Sequence, residues 1–320
     1  MSQSVWLFQQ PSDNNPAALP QSAIVRPAMK TSSAPASLPR KPTPEQIQSA
    51  IGHIEGFSPA PRILGRALVL LRDAQCDVDT VASLIRGDPA LAGDIIRIAN
   101  SAYFAGEQRT QSVEHALQRI GFRETMRLLT LAVSRIITLG NLSYYSIAAE
   151  DFWAESLFNG LFMEELARTT GAADQGDAYT AGLLRYFGRL AINQSIDSLG
   201  GGIFWQGTET LTQWETDNVG LTHAQAGGML LRRWQFPDAM IAACEGQEHP
   251  ALLPNPSWLA SALFFVSSVL PQDFNQPFAP VLAPIADSDF LHPNGLTVES
   301  VEKTFAVTCT AYQAIRQSLG

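Results

Sequence analysis

The sequence predicts an all-α protein, and three observations carry that reading. Apolar residues recur at steps of three and four, as in Leu91, Ile95, Ile98 and Ala102, which makes one face of a helix. Asp, Ser or Thr stands before several such runs, where a side-chain oxygen can accept from the orphan N–H groups of a first turn. No stretch shows the strict apolar–polar alternation of a half-buried strand.

The elements follow in order. Residues 1–41 are rich in Pro, Ser, Ala and Gln, lack sustained periodicity, and read as a disordered tail. The apolar cluster Trp6-Leu7-Phe8 stands isolated within it. Residues 42–145 read as a helical first half. Pro44-Glu45 opens a helix carrying Ile47, Ile51 and Ile54, and Ile63, Ala67, Leu70 and Leu71 stripe a second. A third starts at Asp77 or Asp79 with Val81, Leu84 and Ile85, and stops at Gly87, expected in a left-handed C′ conformation. Asp88 caps the next helix and Pro89 fills its first turn, where a missing N–H costs nothing. Ser112 caps a short helix through Val113, Ala116 and Leu117, and a long one is expected over 122–139.

Residues 146–320 form the second half. A helix containing Phe152-Trp153 runs to about Thr169, and another spans Asp177 to Asn193. Gly200-Gly201-Gly202 breaks the chain and is not a phosphate loop, because no strand precedes it and no Lys-Ser/Thr follows. A helix through Leu211 and Trp214 precedes Thr222, which caps the next with Gln225 in capping-box spacing. Pro237 and Pro256 open two more helices, and 272–296 reads as a proline-rich surface connection. Thr297 begins the last helix, whose Val301, Phe305, Thr308, Tyr312, Ile315 and Leu319 form a stripe that needs a partner surface.

Composition bounds the function. The 320 residues are 46% apolar, enough for a sizeable core, and carry a formal charge of −9. That balance disfavours a duplex-DNA binder, which neutralises phosphates with Lys and Arg. No apolar run reaches the roughly 18 residues of a membrane span. Cys76, Cys244 and Cys309 show no CxxC spacing. With no secretory signal pattern, they point to reduced thiols in a cytoplasmic protein.

The segment Asp88-Pro89-Ala90-Leu91 through Arg97-Ile98-Ala99-Asn100-Ser101 resembles the signature of the HDOD family, the HD-related output domain of bacterial signalling proteins. Asp88, Pro89, Leu91, Arg97, Asn100 and Ser101 match it residue by residue. Later matches are Trp153 and Ser156, Ala181-Gly182-Leu183-Leu184, Gly188, His223-Ala224 with Gly227, Trp234 and Pro237, so the resemblance spans roughly 59–268. It implies a multi-helix bundle whose second half is similar to the HD phosphohydrolases, which hold metal with histidines and aspartates. At the positions of those ligands this chain has Glu155, Arg185-Tyr186, Gln247-Glu248 and Ser267, a degenerate set. The resemblance therefore implies no metal, no cofactor and no catalytic residue.

The expected function is a non-catalytic regulatory module that binds a signalling protein or a nucleotide-like second messenger. Its candidate binding residues are Asp88, Pro89, Arg97, Asn100, Ser101, Trp153, Arg185 and His223. A phosphohydrolase with a relocated site at Glu155, Glu165, His223 or Glu248 is the alternative. A DNA-reading helix–turn–helix around Gly87 is set back by Asp88 and Asp94 beside the single Arg97. Arg185 is expected to stand where the cation stood, paired with Glu155 and assisted by Tyr186.

Overall fold

The computed structural model describes residues 41–54, 60–70, 76–100, 109–121, 125, 127, 129–130, 141–253, 257–270 and 289–319. The tail through residue 40 with Trp6-Leu7-Phe8, Ser101, most of the expected helix 122–139, and residues 272–288 of the connection lie outside them. Residues 39–320 form one compact unit. Its described residues contain helices and a single isolated bridge between Leu142 and Ile147, with no strand, so the all-α expectation holds.

Helix α1 (Pro44–Gly52) starts at Thr43, whose hydroxyl accepts from Gln46 while the Gln46 side chain returns to the Thr43 N–H. It buries Ile47 and Ile51. Helices α2 (Ala60–Leu70), α3 (Val78–Arg86), α4 (Pro89–Ala99) and α5 (Val113–Ile120) follow, with Asp77 and Ser112 as caps of α3 and α5. The α3–α4 joint differs from expectation in one respect. Gly87 has φ −61° and ψ −15°, so α3 ends right-handed. Its N–H closes on Leu84 O at 3.2 Å and that of Asp88 on Ile85 O at 3.1 Å, a tightened last turn that needs no left-handed residue. Asp88 then caps α4, its Oδ1 accepting from Leu91 N at 3.1 Å. The far end of α4 is pinned by Asn100. Its Nδ2 donates to Ile96 O at 2.9 Å and Thr110 O at 2.8 Å, and its Oδ1 accepts from Thr110 N at 2.8 Å.

Helix α6 (Ala149–Thr170) is the axis of the rest. It buries residues on nearly every side, and Gly171 ends it at φ +65°. Helix α7 (Gln175–Leu184) lies along it, and α8 (Phe187–Ser198) follows after two residues. Gly200, Gly201 and Gly202 all take positive φ (92°, 76° and 96°), which only glycine adopts without strain. Helices α9 (Leu211–Val219), α10 (His223–Arg233), α11 (Asp238–Gly246), α12 (Trp258–Val269) and α13 (Val298–Leu319) complete the unit. The predicted Thr222–Gln225 capping box opens α10. Helix α1 packs on α8, α9 and α10, while α3 packs on α2, α4 and α5.

The partner that the last helix needed is α6. Val301, Phe305, Thr308, Tyr312 and Ile315 are buried. The Phe305 ring sits 5.4 Å from Phe158 and 6.3 Å from Phe162, and Tyr312 meets Phe158 edge-on at 5.7 Å. Such tilted and T-shaped contacts add to the burial of apolar area.

Candidate functional site

The sequence reads residues 177–193 as one helix, but the structure breaks it after Leu184. Unbroken, the Arg185 carbonyl would accept from the N–H of Arg189. Instead the Arg189 N–H donates to Tyr186 O at 2.9 Å, and the Arg185 carbonyl accepts from the Gln247 side chain at 2.9 Å. A distant side chain thus replaces a helical partner, and the break turns Arg185 and Tyr186 inward.

Close backbone approach sets the frame. A Cβ on Gly182 would stand 2.4 Å from Asn159 O, and one on Gly188 only 1.8 Å from His223 O. Helix α7 can therefore touch α6, and α8 can touch α10, only through glycine.

Within that frame lies a buried cluster of charge. The Arg185 residue is 3% exposed, and its guanidinium donates to Asn159 Oδ1 at 3.1 Å and Gln247 Oε1 at 3.3 Å. Arg189, one turn further along, places Nη1 3.8 Å from Glu155 Oε2 and Nε 4.0 Å from Glu215 Oε1. Both guanidinium groups lie over the Tyr186 ring, at 4.4 and 3.9 Å from its centroid. The predicted partner of Glu155 is therefore corrected. Arg185 is buried at the expected position, but Arg189 pairs with Glu155, because Arg185 is held by the two amides.

Glu215 from α9 is 0% exposed and satisfied at both oxygens. Oε1 accepts from the Tyr145 hydroxyl at 3.0 Å; Oε2 accepts from the His223 N–H at 2.7 Å and faces His223 Nδ1 at 2.8 Å. The His223 N–H is one of the orphan donors of α10, so Glu215 helps to cap that helix. Glu248 closes the group: its Oε1 lies 3.8 Å from His223 Nδ1 and accepts from the Thr212 hydroxyl at 3.0 Å. Glu215, His223 and Glu248 thus hold one potential ligand atom each within 4.8 Å of one another.

The environment shifts these groups in different directions. Burial raises the Glu155 carboxyl above its ordinary value, against the pull of Arg189, Arg185 and His223. Burial also opposes charge on Glu215, yet His223 and Arg189 together hold it below its ordinary value. Burial raises the Tyr145 hydroxyl well above its ordinary value and raises that of Tyr186.

Of the sequence-predicted residues, Glu155, Arg185, Tyr186, His223, Gln247 and Glu248 come together. Ser267 does not: its hydroxyl donates to Phe264 O within its own helix. Glu165 pairs with Arg168 three residues on. Asp88, Pro89, Arg97 and Asn100 belong to the α3–α4 joint, with exposed Arg97 paired to Asp94. Trp153 is half-buried, its Nε1 without a hydrogen-bond partner among the described residues. The residues that sequence reasoning missed are Arg189, Glu215 and Asn159. The four-residue spacing from Arg185 placed Arg189 on the same helix face; nothing marked Glu215.

An all-helical, HD-like bundle with a buried polar cluster between its helices is the class of protein these observations define. The chain belongs to the HDOD domain family, whose pattern it matches over residues 58–250. Among solved structures it is similar to an HDOD domain protein from Geobacter sulfurreducens, with a TM-score of 0.64 and 18% identity over 85% of this chain and 96% of that one. A candidate signal transduction protein from Marinobacter aquaeolei gives 0.62 and 21% identity over 85% and 64% of the two chains. A candidate phosphohydrolase from Shewanella amazonensis gives 0.61 and 18% identity over 86% and 98%. An uncharacterised Treponema pallidum protein is 25% identical over 178 residues, 53% of this chain and 33% of that protein. The chain thus spans about a third of that relative's length. Among the described residues, no helix is long and apolar enough to cross a membrane.

Proposed function

We propose that this chain is a non-catalytic HDOD regulatory module that acts by binding a signalling protein or a nucleotide-like second messenger. The observation that carries the reading is Arg185. At the position where the HD resemblance implies a metal ligand, it brings a fixed positive charge. Asn159 and Gln247, the nearest neutral acceptors, direct their side-chain oxygens at it. A guanidinium cannot coordinate a cation and repels one, so the residues present do not fit the ion of that ancestral site. Instead the cluster supports a rigid joint in which α6, the break between α7 and α8, and the end of α11 are tied by buried hydrogen bonds.

The test is a phosphodiesterase and phosphomonoesterase assay with added Mn²⁺ or Mg²⁺, run beside capture of partners from native extract with mass spectrometry. Absence of turnover with recovery of a specific partner is expected. Turnover abolished by Glu155→Ala would overturn the reading. Hydrolysis at a relocated site remains the second reading, favoured by the convergence of His223 and Glu248 with Glu215.

A further inference from the structure

We infer that the open groove between the end of α1 and the end of α10 binds a nucleotide, with its phosphates at Arg233 and Arg232 and its base toward Ala50 and Leu199. The inference deepens the proposed function: it rests on the reading that the module binds a nucleotide-like ligand, and it supplies the place. That place is distinct from the buried cluster, since Arg232 and Arg233 end the helix that His223 begins.

Shape is the first argument. Helix α1 packs on both α8 and α10, and the groove has two parts that meet at His53. One part, of about 510 Å³, is lined by Ile51, Gly52, His53, Met229, Arg232 and Arg233. The other, of about 500 Å³, runs past Glu45, Ser49, Ala50 and Leu199 to the same histidine. One part therefore carries cations. The other offers apolar contact at Ala50 and Leu199, with Glu45 and Ser49 as hydrogen-bonding groups. An anionic head joined to a planar, partly polar body matches that layout.

Charge is the second argument. In a chain of net charge −9, Arg233 has no carboxylate partner among the described residues, and its guanidinium donates to Gly52 O at 2.8 Å. A guanidinium held by a carbonyl keeps its full charge and further donors for a phosphate. Arg232 is anchored by Glu245 through two bonds of 2.5 Å, yet its side chain stays 55% exposed. That pair is neutral as a unit, so Arg233 is the principal anchor and Arg232 a directional donor beside it. Free carbonyls at two helix ends would repel an anion. Here they are engaged: Ala50 and Ile51 O accept from the His53 N–H, Gly52 O from Arg233, and Leu230 O from the Trp234 N–H. His53 Nδ1 lies 2.7 Å from Ser49 O, which can only accept, so Nδ1 carries the hydrogen and Nε2 is left for a ligand.

The experiment is fluorescence anisotropy of the full chain with N-methylanthraniloyl-ADP and N-methylanthraniloyl-GDP, without added metal, competed by unlabelled nucleotide and by pyrophosphate. Saturable binding of at least one probe at about 100 µM or tighter is expected. Arg233→Gln removes the charge but keeps an amide donor for Gly52 O, and should weaken binding by at least ~10-fold while melting like the parent. Should that variant fail to fold, Ser49→Trp, at an exposed position of α1, should still weaken nucleotide binding by obstructing the base. Binding that the folded variants leave unchanged would put the nucleotide elsewhere, which overturns this inference and leaves the module reading intact. Failure of both probes to bind at 100 µM would overturn it too, and recovery of a protein partner would then still support the module. Turnover of a probe would overturn both.

Discussion

Replacing Arg189 with Met tests the cluster most directly. The side chain is buried between Glu155 and Glu215 and lies over Tyr186. Methionine approximates its volume and removes its charge, leaving two carboxylates buried without their common partner. Breaking a buried pair from one side costs about 3–5 kcal/mol. For a unit spanning residues 39–320, at roughly 2 cal/mol/K per residue, that lowers Tm by about 5–8 °C. Glu155→Gln alone should cost less, since burial already disfavours its charged form. The double variant should lose less than the sum of the two single losses. The pH dependence has a definite sign. Removing Arg189 raises the folded-state values of both Glu155 and Glu215, each of which it pulls down. A carboxyl with a raised folded value binds protons more readily when folded, so the penalty is absent below its unfolded value and grows as pH rises through the folded one. The deficit of the variant against the parent should therefore shrink as pH falls from 7 toward 4.5, the ordinary value of a glutamate. Thermal scans of the four proteins across that range read all of this. Additive losses, or a deficit that widens on acidification, would refute the reasoning.

Asn100→Ala removes three hydrogen bonds, two that fasten α4 to Thr110 and one to Ile96 O, at about 1 kcal/mol each, and should lower Tm by several degrees; unchanged melting with lost partner binding would make Asn100 a recognition residue instead. Gly188→Ala forces a Cβ to within 1.8 Å of His223 O and should cost at least ~3 kcal/mol by prising α8 from α10; melting within a degree of the parent would show that the backbones separate easily. Burial raises the Cys244 thiol to about 12, so alkylation at pH 8 followed by peptide mapping should leave it unlabelled in the native chain, whereas quick labelling would mean that the α10–α11 contact opens.

Local chemistry was legible in the sequence wherever its cause lies within a few residues. Asp77, Asp88, Ser112 and Thr222 cap helices because each oxygen meets the N–H three residues on. The stripe on α13 announced a buried face because its period is intrinsic to the helix. Gly87 misled because glycine permits a left-handed stop without requiring one; with Asp88 ready to cap α4, the shorter right-handed exit sufficed. The break after Leu184 was illegible for a different reason. No proline interrupts that stretch, and what ends α7 is an amide from Gln247, 62 residues away. A helix boundary set by a tertiary hydrogen bond leaves no mark in the local pattern.

The same distinction explains why the mapped site was found while its pairing was not. Motif spacing names positions, and it placed Glu155, Arg185 and Gln247 together. Pairing depends on which acceptors each charge meets first. Arg185 points its planar donors at Asn159 and Gln247, neutral partners that hold it without neutralising it. Its charge is therefore left to be balanced collectively, and Arg189 takes up Glu155 and Glu215 at ion-pair distances of 3.8 and 4.0 Å. A divalent ion concentrates two charges at one point; two guanidiniums one turn apart spread two charges over a layer that Tyr186 faces from one side. Spreading lets the carboxylates sit further from any single cation. Burial raises the Glu155 carboxyl above its ordinary value against these cations, while His223 and Arg189 hold Glu215 below its own. The position of His223 at the start of α10 thus favours the charged form of Glu215, while burial disfavours that of Glu155.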